Sequence, residues 1–86
     1  YLLDVREEWE FRETRLEGSY LLAHLDLAQI FEGLKELKVI TICQHGLRSL
    51  SAAYYLAESG LPHVQSLQGG LDAWSQTSDQ SLARYS

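Results

Sequence analysis

Apolar positions in this chain switch repeatedly between two spacings, and the switching lays out an α/β protein. Leu2-Leu3 with Val5, Tyr20-Leu21-Leu22-Ala23, Lys38-Val39-Ile40-Thr41-Ile42 and Val64-Gln65-Ser66-Leu67 are short, nearly continuous apolar runs with the length of buried strands. Between them the spacing turns helical. Residues 6–11 read as a brief helix whose acidic first turn suits the positive end of its dipole. Asp26 is placed to cap a helix carrying Leu27, Ile30, Phe31, Leu34 and Leu37 on one face, with Gly33 costing on the order of 1 kcal/mol inside it. From Leu50 to Ser59 a second helix carries Leu50, Ala53, Tyr54 and Ala57 as its apolar stripe, stopped by Gly60 at C′ and by Pro62. Gly18-Ser19 and Gly69-Gly70 are turns, and 71–74 opens a last helix. Residues 75–86 are polar with little periodicity and read as a C-terminal extension. Strands alternating with helices predict a single α/β domain over 1–86, a small parallel sheet of four to five strands covered by helices on both faces.

Within that layout Cys43, the only cysteine, follows the most β-branched strand and precedes a short loop and a helix. It is thereby predicted at the carboxyl end of a strand facing a helix amino terminus, the edge where open α/β sheets bind ligands. Free amides and the positive dipole end favour an anion there. A thiol so placed ionises more readily than a free cysteine.

Composition narrows the classes. An 86-residue chain, 45% hydrophobic, suits one small domain with a modest core, to which two Trp, five Tyr and two Phe are expected to add bulk. Its apolar runs are too short to cross a bilayer, and its opening has no signal-peptide pattern. One cysteine forms no internal disulfide and has no resolving thiol, which points to a reducing, cytoplasmic setting and away from a two-cysteine redox cycle. A formal charge of −5 without a basic cluster argues against nucleic acid as a partner. His24 and His63 lack metal-ligand spacing, so neither a metal nor another cofactor is expected. The chain opens directly on a strand-like run and contains no methionine, so an excerpt is expected, with a preceding strand left out.

Cys43-Gln44-His45-Gly46-Leu47-Arg48-Ser49 resembles the active-site loop of single-domain rhodaneses, sulfurtransferases that carry sulfur as a cysteine persulfide. Leu3-Asp4-Val5-Arg6-Glu7 is similar to that family's early Asp-Val-Arg signature, and Gly69-Gly70-Leu71-Asp72-Ala73-Trp74 to its late Gly-Gly-x-x-x-Trp signature. The ending, through Asp79-Gln80-Ser81-Leu82-Ala83-Arg84-Tyr85, resembles a subgroup of stand-alone bacterial rhodaneses and of domains fused to molybdopterin- or thiamine-pathway adenylyltransferases. Two departures stand out. Arg15-Leu16-Glu17-Gly18-Ser19 replaces the usual His-Ile-Pro-Gly-Ala, and the family's first short strand, normally ahead of Asp-Val-Arg, is expected to be missing from this stretch, with an edge of the sheet uncovered.

The resemblance implies a thiosulfate sulfurtransferase with Cys43 as nucleophile. The backbone amides of Gln44, His45, Gly46, Leu47 and Arg48 would hold the persulfide. Arg48 binds the anionic donor or holds the loop's shape, and as a cation at a helix start it needs an anion to meet. Asp4 and Arg6 are expected to brace the loop, and Ser49 to cap the helix. Trp9 and Trp74 are expected in or near the core. A monomer is expected, taking a small sulfur donor and passing sulfur to a thiol, cyanide or a sulfur-carrier protein. The alternatives are a persulfide relay or non-catalytic interaction module serving a protein partner, and a small phosphatase. The last needs five residues between Cys and Arg, where only Gln44 to Leu47 intervene here.

Overall fold

A computed structural model describes residues 1–75; of the predicted extension over 75–86, all but Ser75 lies outside the described residues. In chain order the elements are β1 (Leu2–Asp4), α1 (Glu8–Glu13), β2 (Ser19–Leu21), a 3-10 turn (Leu22–His24), α2 (Leu27–Leu34), β3 (Val39–Ile42), α3 (Leu47–Glu58), β4 (Val64–Ser66) and α4 (Gly70–Ser75). The strands form one parallel sheet of four in the order β2-β1-β3-β4. Leu3 stands beside both Tyr20 and Thr41, and Thr41 beside Ser66.

Alternation along the strands divides the core in two. Leu3 and Val39 pack with Leu34 of α2, Leu56 of α3 and Leu61. Ile42 packs on the opposite face with Leu16 and Leu71 of α4, flanked by Leu2, Ile40 and Trp74. Helices therefore cover both faces, as the alternating periods predict. Leu3, Val39 and Ile42 are fully buried, each contributing roughly 1.5–3 kcal/mol by leaving water. The end of α3 is set as Gly60 predicts. Gly60, at φ 118°, donates its N–H to the Ala57 carbonyl at 3.1 Å, and the Leu61 N–H reaches the Leu56 carbonyl at 3.0 Å. That paired closure drops Leu61 into the core beside Leu56.

Several expectations are corrected. Helix α3 begins at Leu47, ahead of Leu50, and buries Ser49, Ala53 and Leu56, while Leu50 and Tyr54 of the predicted stripe are 58% and 70% exposed. The cause is at its first turn, where the buried Thr41 hydroxyl donates to the Ser49 carbonyl at 2.7 Å and fixes which face meets the sheet. Gly46, at φ 96°, takes the N-cap position instead of Ser49, which lies within the first turn. In α2 the last turn tightens, with the Lys35 and Leu37 N–H groups bonded to the Glu32 and Leu34 carbonyls at 3.3 and 3.1 Å, and this swings Leu37 off the buried face. Trp9 is exposed because α1, six residues long, buries none of its side chains. Tyr20, Tyr54 and Tyr55 are likewise exposed and add nothing to the core.

Candidate active site

Strand β3 ends at Ile42, so Cys43 is the first residue of the turn into α3, on the same face of the sheet as Val39 and Thr41. Its side chain is buried, with 1% of the residue exposed, and its surroundings are polar. The Gly46 N–H donates to the sulfur at 3.0 Å and the Ser49 N–H at 3.2 Å. The Ser49 hydroxyl lies 3.3 Å from Sγ, accepting from the thiol or donating to the thiolate. Burial pushes the thiol up, but the Ser49 hydroxyl and the amides of Ser49, Gly46 and His45 pull it down by more. The net position is below the ordinary thiol value, so the nest favours a negative sulfur.

Amides can point inward only if the loop's carbonyls are satisfied outside. Helix α4 does this with its otherwise unpaired first-turn donors: the Leu71 N–H binds the Cys43 carbonyl at 2.9 Å and the Asp72 N–H binds the Gln44 carbonyl at 3.0 Å. So close an approach requires Gly70. A Cβ on Gly70 would stand 2.5 Å from the carbonyl oxygens of Cys43 and Gln44, and its φ is 69°. Gly70→Ala is therefore expected to cost about 3 kcal/mol, from a side chain held at positive φ and from overpacking against rigid backbone. Urea unfolding measures it, together with slower alkylation of Cys43 as the loop is pushed off the sulfur. A cost below about 1 kcal/mol would contradict the close-approach argument.

Beneath the loop, Asp4 and Arg6 form a buried ion pair. Arg6 Nη2 donates to Asp4 Oδ2 at 2.8 Å, and both Nε and the backbone N–H of Arg6 reach Oδ1 at 3.0 Å. The guanidinium continues outward to Gln44 Oε1 at 3.3 Å and to the Thr14 carbonyl at 2.6 Å. The pair thus connects the end of β1 to the loop and to the segment after α1.

At the rim, Arg48 meets an anion supplied by the chain itself. Its Nη1 and Nη2 donate to Glu10 Oε1 and Oε2 at 2.7 and 2.9 Å, a two-pronged match. The Arg48 bond holds the Glu10 carboxyl down to about 2 from 4.5. A carboxyl lowered by folding contributes stability that is complete above its unfolded value and is lost as pH falls through its folded one. The deficit of Glu10→Gln should therefore be largest at neutral pH and shrink between 4.5 and about 2. Urea midpoints for both proteins across that window test this, and a deficit that does not change with pH would contradict it.

His45 Nδ1 lies 3.1 Å from Asp72 Oδ2, and Gln44 Nε2 donates to Asp72 Oδ1 at 3.2 Å, so α4 also grips the loop through exposed side chains. Leu47 is 76% exposed at the loop's rim. The residues singled out in the sequence, Asp4, Arg6 and 43–49, thus gather at one sheet edge. Glu10, Asp72 and Ser66 are site residues that the sequence reading missed. Only the unmet need of Arg48 for an anion pointed toward the first of them. His24 lies against Glu8, its Nε2 3.0 Å from Oε2. Among the described residues no group of three or more His, Cys, Asp or Glu could hold a metal, and no helix is long and apolar enough to cross a membrane.

Comparison with known proteins gives the same picture. The chain is 32% identical over 75 residues to a thiosulfate sulfurtransferase GlpE of Vibrio cholerae, covering 86% of this chain and 71% of that one. It is 34% identical over 74 residues to the GlpE of Shewanella oneidensis, covering 85% and 73%. Among solved structures it superposes on reduced Bacillus anthracis CoADR-RHD with a TM-score of 0.65 and 30% identity, over 87% of this chain but only 14% of that larger one. A rhodanese-like domain model matches residues 1–77. With nine-tenths of its length inside that match, and its cysteine loop built on the carboxyl edge of a parallel sheet, the chain belongs to the rhodanese-like domain family.

Proposed function

We propose that this domain is a sulfurtransferase that takes sulfane sulfur from a donor such as thiosulfate and passes it on from a persulfide on Cys43. The observation that carries this is the convergence of the Gly46 and Ser49 amides and the Ser49 hydroxyl on one sulfur atom. The Cys43 thiolate attacks the outer sulfur of thiosulfate. A sulfur–sulfur bond forms to Cys43 while the bond to the sulfonate sulfur breaks, and sulfite leaves with the electron pair. The product is a persulfide anion in place of a thiolate anion, so the nest that favoured one negative sulfur serves the other. A thiol, cyanide or carrier-protein acceptor then attacks the outer sulfur and restores the thiolate.

The donor enters past the exposed side chains of His45, Leu47 and Arg48. Because the fork of Arg48 is engaged by the ionised Glu10 carboxylate, its charge is matched within the chain and its duty is to fix the loop's rim. The names of the GlpE relatives, thiosulfate sulfurtransferases at about a third identity, support the same donor class. Incubation with thiosulfate should add the mass of one sulfur atom to the intact protein and release one equivalent of sulfite. A folded protein whose free thiol never gains that mass would overturn the proposal.

A further inference from the structure

Ser49 is fully buried, and its hydroxyl has more neighbours than its single proton can serve. Besides the Cys43 sulfur at 3.3 Å, it faces the Gly46 carbonyl oxygen at 3.3 Å and the Ser66 hydroxyl at 2.9 Å. The Gly46 carbonyl only accepts, so it competes with the thiolate for the Ser49 proton. Ser66 decides between them by which way its own hydroxyl points. If Ser66 accepts from Ser49, the sulfur loses a donor. If Ser66 donates, Ser49 keeps its proton for the charged acceptor, which binds it more strongly than a neutral carbonyl does.

Three features favour donation. Among the described residues, the Ser66 hydroxyl has Ser49 as its one hydrogen-bond partner. Ser66 is the strand neighbour of Thr41, whose hydroxyl grips the Ser49 carbonyl at 2.7 Å, so two adjacent sheet positions hold Ser49 at both its polar oxygens. Ser66 is also half-buried and lines a groove of about 790 Å³ between α3 and β4, which gives water room to serve the lone pairs of a donating hydroxyl while the sulfur stays buried.

We infer that Ser66 is a positioning residue for sulfur transfer: it donates to Ser49 Oγ, commits the Ser49 proton to the Cys43 sulfur, and polarises that bond in a chain of two hydroxyls. The role deepens the sulfur-transfer function proposed above and presupposes it. The charged groups around the sulfur are Arg48 with Glu10, His45 with Asp72, and the Asp4–Arg6 pair on β1. All of them are retained when Ser66 alone is changed.

The test is the pH profile of Cys43 alkylation by iodoacetamide, which reads thiolate formation whether or not the protein transfers sulfur. Ser66→Ala should shift the midpoint upward and slow alkylation about threefold below it, a net hydrogen bond's worth. Ser66→Thr, which keeps the hydroxyl, should restore the native profile. Ser49→Ala should shift the midpoint further, and the double variant should match Ser49→Ala, because Ser66 acts only through Ser49. An unmoved midpoint in Ser66→Ala, or a double variant shifted beyond Ser49→Ala, would overturn the inference. A shifted midpoint in a protein that takes no sulfur from thiosulfate would leave the hydroxyl chain standing and sink the sulfur-transfer function instead.

Discussion

Cys43→Ser is expected to abolish sulfur uptake from thiosulfate while leaving the fold intact. Serine is nearly isosteric with cysteine, and its oxygen can still accept from the Gly46 and Ser49 amides that now reach the sulfur at 3.0 and 3.2 Å. What disappears is a nucleophile that is anionic near neutral pH. A hydroxyl has no base here to activate it, since among the described residues the side chain hydrogen-bonded to Cys43 is another hydroxyl, that of Ser49. Uptake read by intact mass and sulfite release should fall by at least about a thousandfold, the scale on which removing a covalent nucleophile acts. The unfolding free energy from urea titration should stay within about 1 kcal/mol of the parent's. Continued sulfur uptake by this variant would place the reacting atom elsewhere and remove Cys43 from the chemistry.

The cysteine loop was legible because its position depends on local signals. A β-branched strand ending at Ile42, one glycine, and a helical pattern beyond are enough to put a thiol at a helix amino terminus. The same holds for Gly60, whose positive φ and paired closure follow from its place after the last helical residue. Positions that depend on tertiary contacts were not legible. Glu10 and Arg48 are 38 residues apart, and nothing in the spacing of charges selects Glu10 over Glu7, Glu8 or Glu13. Helix α3 misled for a related reason. Its most apolar stripe, with Leu50 and Tyr54, faces outward, because the inward face must carry a serine to the sulfur and small Ala53 against the sheet. A hydrophobic pattern cannot register that a polar residue is buried for its hydrogen bonds.

That dependence on buried polar contacts is sharpest at Asp4, where Asp4→Asn is expected to give the largest loss of stability of any conservative change near the site. Asp4 is fully buried and Arg6 is 4% exposed. The carboxylate accepts from the Arg6 backbone N–H, from Nε and from Nη2, all within 3.1 Å. An amide of the same shape offers only one oxygen and turns an NH2 toward the guanidinium, leaving a buried positive charge without its counter-ion. Breaking a buried pair from one side costs roughly 3–5 kcal/mol. A small domain has about 5–15 kcal/mol in all, so the melting temperature should fall by at least about 10 °C. Replacing both partners, Asp4→Leu with Arg6→Met, should be less destabilising than Asp4→Asn alone, because no unpaired charge remains inside. A single variant within about 1 kcal/mol of the parent, or a double variant worse than the single, would mean that the pair does not hold the loop's floor in the way its geometry indicates.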